Sequence, residues 1–167
     1  MSNTAEKKAL DANLVNALIR ATSEVMLTMA NTEVKVKEVK PQHGYTSGGD
    51  ISAVITIIGE GGEGMVGLSF PLDLASTVIS RLIGCKPEEI SKDDRSDGIG
   101  ELANMISGNT KTTLSAESNS TYKLSLPSII LGTDHEITGP FKDCPNLLIL
   151  FEAEGKPFRL QVSFKFH

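Results

Sequence analysis

The sequence has no tryptophan, and its aromatic residues are six Phe and two Tyr among 167 residues, so a core built from it must be mainly aliphatic. It has two cysteines, Cys85 and Cys144, too few for a disulfide or metal framework. They are expected to be inert thiols in a reducing, cytoplasmic setting. Its three histidines, His43, His135 and His167, show no H-x-x-x-H or Cys/His spacing, so no zinc ligand set is apparent. No run of 18 apolar residues is present to span a bilayer, and the opening MSNTAEKKALDANL lacks the apolar centre of a signal peptide. Sixteen Lys and Arg against 21 Asp and Glu leave a net charge of −5, with no run of four basic residues. That balance argues against nucleic acid or an anionic membrane as partner, since both attract basic surfaces.

What is present suits one globular domain. At 40% hydrophobic residues, a chain of this length can bury about two-thirds of the surface its unfolded form exposes. Residues 1–10 read as a polar lead-in and 11–167 as the domain. A helix is expected from about Asp11 to Ala30, with Leu14, Ala17, Leu18, Ala21, Val25, Leu27 and Met29 as its apolar face. Val34 to Val39 alternates apolar and charged residues, as a half-solvated strand does, and PQHGYTSGGD is a loop. Strands follow over Ile51–Ile58 and Met65–Phe70. Pro71 opens a helix that reaches Ile83 and stops at Gly84. After a polar link from Cys85 to Ser96, a second long helix runs from about Asp97 to Ser115. Short strands are expected over Tyr122–Leu126 and Ser128–Leu131, then a loop, GTDHEITGPFKDCPN. A hairpin over Leu147–Glu154 and Pro157–Phe166 closes the chain. Each half offers a long helix and then antiparallel strands. The expected fold is therefore α+β, a mostly antiparallel sheet with long helices packed on one face. The similar order of the halves is compatible with an internal duplication, although no strict repeat is visible.

Several motifs fall to their local context. Gly59, Gly61 and Gly64 satisfy G-x-G-x-x-G after a strand, but the next segment, MVGLSF, is another strand. A dinucleotide fingerprint must open a helix whose N-terminus faces the pyrophosphate, so this is a hairpin turn. Asp93, Asp94 and Asp97 lack the glycine-containing loop and closing Glu of a hard-cation site. Asp93 or Asp94 is better read as a cap or a favourable charge at the helix start. Nothing near Thr110–Thr121 activates a hydroxyl as a nucleophile.

The stretch DGIGELANMISGN remains. Asp97, Glu101 and Asn104 fall at i, i+4 and i+7, so a helix places them on one face, together with Gly108. Ile99, Leu102, Ala103 and Ile106 take the opposite face. A carboxylate and a carboxamide one turn apart, pointing away from the core, can both reach into a partner. Gly98, Gly100 and Gly108 each disfavour helix by about 1 kcal/mol relative to alanine. Gly108 on the polar face would let another protein approach closely, while Gly98 and Gly100 have two readings, close-approach points or a loosened helix start.

The spacing Asp/Ser, three residues, Glu, two residues, Asn, twenty-two residues, Pro resembles the signature of the CheC/CheX/FliY phosphatases, with Asp97, Glu101, Asn104 and Pro127 in its four positions. A chance match in a chain of this length is on the order of a few per thousand. The stretch ALIRATSEVMLTMANTEV also resembles the opening helix of CheX proteins. CheC-type members carry a Glu-x-x-Asn pair in each half. Here Glu24 is followed by Leu27 and Glu33 by Val36, so the chain resembles the single-site CheX branch.

The resemblance implies a CheC/CheX-like domain that hydrolyses the aspartyl phosphate of phospho-CheY or a related response-regulator receiver domain. In that reading Asn104 orients the attacking water and Glu101 docks in the regulator's active site, pairing with its lysine or a neighbouring donor. Asp97 supports the helix entrance and can also contribute to the interface, and Pro127 shapes the chain. No cofactor of its own is implied; Mg²⁺ comes with the receiver. The alternative is a non-catalytic docking module of the same fold in a chemotaxis or flagellar-switch assembly. Relatives dimerise through their sheets, and an exposed edge over Pro157–Phe166 would favour a homodimer.

Overall fold

A computed structural model describes residues 2–42, 46–47, 49–138 and 146–167. His43, Cys144 and parts of the two long loops lie outside them. The first helix, α1, spans Ser2–Ala30. It therefore runs through the expected lead-in, where Ala5, Lys7, Lys8, Ala9 and Leu10 are all good helix formers. Its buried face is Leu14, Ala17, Leu18, Ala21, Val25, Met26 and Ala30. Leu27 and Met29, expected on that face, are 50% and 44% exposed, with Met26 and Ala30 buried in their place.

Strands β1 (Lys35–Gln42), β2 (Thr46–Ser47), β3 (Ile51–Gly59) and β4 (Gly62–Phe70) follow. Helix α2 (Leu72–Ile83) ends on Gly84 at φ 77°, whose N–H bonds back to Ser80. A 3₁₀ turn over Pro87–Glu89 leads into α3 (Lys92–Ser118). Strands β5 (Tyr122–Leu124), β6 (Ser128–Leu131), β7 (Glu136–Ile137), β8 (Asn146–Ala153) and β9 (Lys156–Phe166) complete the chain. The β8–β9 turn has Glu154 at φ 54° and Gly155 at φ 72°, the two positive values a tight primed hairpin requires.

One antiparallel sheet has the order β1-β8-β9-β4-β3-β5, with β6 also on β3; β2 and β7 form a small separate ladder. The alternation read from the sequence sets the inner face. Ile51, Ala53, Ile55 and Ile57 point to the core, opposite or beside Phe70, Leu68, Val66, Leu160 and Val162. Phe70, Phe158 and Phe151 stack in a row at 4.7 and 5.1 Å. The three helices close this face, α3 packing against both α1 and α2. The expected edge at Pro157–Phe166 is overturned: β9 is paired on both sides, by β4 and β8. The edges are β1 on one side and β5 with β6 on the other.

The sheet order reads alike from either edge if the halves are exchanged: α1 for α3, β1 for β5 and β6, β3 for β8, β4 for β9. A constant sequence offset relates the helices. Thr22 and Thr110 are both buried, and each donates its hydroxyl to the carbonyl one turn earlier, Leu18 at 2.7 Å and Ile106 at 2.8 Å. Asn31 and Asn119 follow the two helices in the left-handed conformation, at φ 45° and 51°. The same offset maps Val36, opposite Phe151, onto Leu124, opposite Ile57, and Pro41, opposite Leu147, onto Ile129, opposite Ala53. Helix α2 has no counterpart under this exchange among the described residues.

Candidate functional site

Helix α3 begins more than a turn before the expected Asp97. Ser91 Oγ accepts from the N–H of Asp94 at 3.0 Å, and the Asp94 carboxylate accepts from the N–H of Ser91 at 3.1 Å. This reciprocal cap satisfies two of the donors a helix start leaves open. Hydrogen bonds to its carboxylate, from the Ser91 backbone first and the Ser91 side chain second, hold the Asp94 carboxyl below the ordinary carboxylate range. Asp94 therefore caps the helix. Asp97 lies in the second turn instead of at the entrance, which removes the supporting role expected for it there.

From that start the helical period does what the sequence pattern requires. Ile99, Leu102, Ala103 and Ile106 are at most 2% exposed, while Asp97, Glu101 and Asn104 face solvent. Among the described residues none of those three side chains has an internal hydrogen-bond or ion-pair partner. Their donors and acceptors are available to something else. A side chain added at Gly108 would meet nothing within 4 Å, so this end of the face is open.

The other two glycines are close-approach points inside the chain, which decides between their two readings. A Cβ at Gly98 would lie 2.6 Å from Ile79 Cδ1, so Gly98 lets α2 cross α3 closely. A Cβ at Gly100 would lie 3.3 Å from Pro127 Cγ and 3.4 Å from Ile129 Cδ1. Gly100 thus seats Pro127 on the helix backbone, one residue before Glu101. This contact brings a proline far along the chain beside the helical residues.

A cleft of about 320 Å³ results. Asp97, Gly100, Glu101 and Asn104 line it from α3, Leu126 and Pro127 from the β5–β6 connection, and Ile129 from β6. The expected strand over Tyr122–Leu126 stops at Leu124. Ser125 still holds the edge of β3, its N–H on Thr56 O at 2.9 Å and its Oγ accepting from Thr56 N at 2.9 Å. Leu126 and Pro127 then leave the ladder, and pairing resumes with Ser128 opposite Val54. Proline has no N–H for the ladder and favours extended backbone in the residue before it. The roles of Ser125 and Leu126, and the partner of Gly100, are not legible in the sequence because they depend on contacts distant in the chain.

Among the described residues no group of three His, Cys, Asp or Glu side chains is placed to hold a metal, and no helix is long and apolar enough to cross a membrane. The structure does pair a serine with a histidine. Ser52 Oγ lies 2.6 Å from His135 Nε2 and 2.6 Å from Ser69 Oγ, while His135 Nδ1 lies 2.8 Å from Gly132 O. A carbonyl only accepts, so Nδ1 carries the proton and, in the neutral ring, Nε2 accepts from Ser52. Ser52 is fully buried on the sheet face opposite the helices, so the chain of bonds fastens the β6–β7 connection and presents no nucleophile.

The family described as "Chemotaxis phosphatase CheX" matches residues 51–152. The chain belongs to the CheX family. No curated protein matches its sequence significantly. Among solved structures, the chemotaxis protein CheX from Desulfovibrio desulfuricans aligns with a TM-score of 0.78 at 27% identity, covering 92% of this chain and 99% of that one. A CheC-like superfamily protein from Shewanella sp. PV-4 aligns at 0.82 with 24% identity, covering 92% and 97%. The CheX of a CheX–CheY–BeF₃–Mg²⁺ complex from Borrelia burgdorferi aligns at 0.73 with 20% identity, covering 90% and 97%. The single-domain α+β architecture of CheX and CheC-like proteins is therefore that of this chain.

Within this CheX fold, the exchange of halves locates the positions equivalent to the cleft residues. Glu101 maps to Asn13 and Asn104 to Asn16, both exposed on α1. Neither Glu24 nor Glu33, the acids considered from sequence, occupies those positions. Pro127 maps to Val39, which stays paired in β1 opposite Ile149.

Proposed function

We propose that this CheX-family protein hydrolyses the aspartyl phosphate of a CheY-like receiver domain, using the α3 cleft as half of a shared active site. The observation that carries the reading is the exposed Glu101–Asn104 pair, free of internal partners, beside a proline seated on the same helix. The complex of a relative with CheY, BeF₃ and Mg²⁺ supports the choice of partner. In this reading the receiver contributes the phosphoaspartate and its own Mg²⁺.

Water attacks phosphorus as the bond from phosphorus to the aspartate oxygen breaks, giving inorganic phosphate and the free carboxylate. What the chain supplies is position. The Asn104 carboxamide oxygen accepts a hydrogen bond from the attacking water, and its NH₂ donates to a neighbouring acceptor, which fixes the water in line. An amide is no base at neutral pH, so the proton passes to the departing phosphate or solvent. Glu101, as an anion, pairs with a cation beside the phosphoryl group and fixes the docking register. Asp97 lines the same face, and Gly108 leaves room for the partner's approach.

The test follows phosphoryl decay on the organism's purified receiver domains, with wild type and Asn104→Ala. Asn104→Ala is expected to slow hydrolysis by roughly 10²-fold or more while the receiver still binds. Wild-type protein that leaves every receiver's decay unchanged, yet binds one of them tightly, would make it a docking module instead.

A further inference from the structure

Leu126 is the most exposed large hydrophobic residue among those described, at 88%. An isolated exposed leucine is ordinary. This one is not isolated: it lines the cleft that holds Glu101 and Asn104. Its backbone is also held on both sides. Before it, Ser125 makes two bonds to Thr56, and the Ser125 hydroxyl donates to the Leu126 carbonyl at 3.0 Å. After it, Pro127 is seated against Gly100. A backbone so constrained loses little further freedom when its side chain is bound, which favours association.

Both halves carry the same one-residue bulge at this point of the edge strand. In the first half pairing resumes at once, with Glu38 opposite Leu150. In the second, Leu126 occupies the place equivalent to Glu38 and stands out of the ladder. The polar edge residue of one half is thus an apolar, outward residue in the half that carries the Glu101–Asn104 pair.

We infer that Leu126 is the apolar anchor that docks the phosphorylated receiver, entering a hydrophobic depression beside its phosphoaspartate while Glu101 and Asn104 enter the polar centre. The inference rests on the proposed function and names a specificity residue for it. Acidic and amide side chains alone would bind any cationic pocket; an apolar knob at fixed distance from them restricts the partner to one with a matching depression. Leu126 acts on binding and positioning. It touches no reacting atom.

The experiment measures hydrolysis against receiver concentration, and binding of the beryllofluoride-loaded receiver, for wild type, Leu126→Ala, Leu126→Met and Leu126→Asp. Burying a leucine predicts that Leu126→Ala raises KM and Kd about tenfold or more, with kcat within about twofold. Leu126→Met should recover most of the loss, and Leu126→Asp should not saturate. Unchanged melting temperatures would confirm that folding is intact, as expected at so exposed a position. If wild type binds and hydrolyses a receiver while Leu126→Ala matches it in KM and Kd, the inference fails and the proposed function stands. A fall in kcat at unchanged KM also overturns it, as does a change of solution mass for Leu126→Asp with KM intact, which would make Leu126 a self-contact. If wild type neither binds nor hydrolyses any receiver, the underlying function fails and the anchor falls with it.

Discussion

The two halves of this protein share a scaffold and differ at the surface. Each has a long helix with a buried threonine bonded to its own backbone, an asparagine in the left-handed conformation after it, a bulged edge strand and a hairpin. In the second half the helix carries Glu101 and Asn104, and the edge strand opens at Leu126 and Pro127 to form a cleft. In the first half the same positions hold Asn13 and Asn16, and the strand stays closed through Glu38 and Val39. The core positions retain their chemistry because the packing of both halves demands it. The outer positions are free to diverge, and they differ most at the cleft to which the proposed hydrolysis is assigned.

The largest test of that comparison is functional. Asn104→Ala is expected to lose roughly 10²-fold in receiver dephosphorylation, while Asn16→Ala stays within about twofold. Placing Asn13→Glu in the Asn104→Ala background restores the Glu-x-x-Asn pair on α1 and should recover nothing, since no proline is seated beside it. Recovery in a phosphoryl-decay assay would mean that the helical pair suffices and the cleft is incidental.

The two glycines of α3 separate support from function. Gly98→Ala drives a Cβ into Ile79, which is 1% exposed and has nowhere to move. Overpacking of about 1–3 kcal/mol exceeds the helix-propensity gain of about 1 kcal/mol. A net loss of about 1 kcal/mol should appear in denaturant unfolding. At Gly100 the neighbours need yield only a few tenths of an ångström. Gly100→Ala should therefore leave stability within about 0.5 kcal/mol of wild type, but shift Pro127 and slow hydrolysis roughly fivefold. Equal losses in both properties would show that Pro127 is only packing.

Legibility of this structure from sequence divides along the same line of local against distant contact. The polar face of α3 could be read because the helical period is local, and the inner face of β3 because strand alternation is local. Two elements were misjudged for the opposite reason. The segment Pro157–Phe166 has the alternation of an edge strand but lies between two others, since strand order depends on pairings far along the chain. Leu27 and Met29 read as part of the buried face of α1 because they are apolar, whereas packing buries Met26 and Ala30. The cap of α3 at Ser91 is faint in sequence, because Asp94 stands where a glutamate more often signals a capping box. The seat of Pro127 on Gly100 needs the fold itself.

The smallest expected effect concerns α2, the element that breaks the exchange of halves. Arg81 at its end donates to Glu154 Oε1 at 2.7 Å in the β8–β9 turn and to Thr32 Oγ1 at 3.0 Å beyond α1. Near its start Asp73 pairs with Lys156 from the same turn. α2 thus ties the first half to the hairpin of the second. The hydrogen bond from Arg81, and then its charge, hold the Glu154 carboxyl below the usual glutamate range. A carboxyl with a lower pKa in the folded than in the unfolded state stabilises the fold above the unfolded value. That contribution disappears as pH falls through the depressed folded value. Glu154→Gln should therefore lower the melting temperature near pH 7 by only about a degree, because the pair is largely exposed and screened. The gap between variant and wild type should close as the pH is taken below the carboxylate range. A gap that persists at low pH would mean that Glu154 acts through packing or turn geometry, and that the tie between the halves is not ionic.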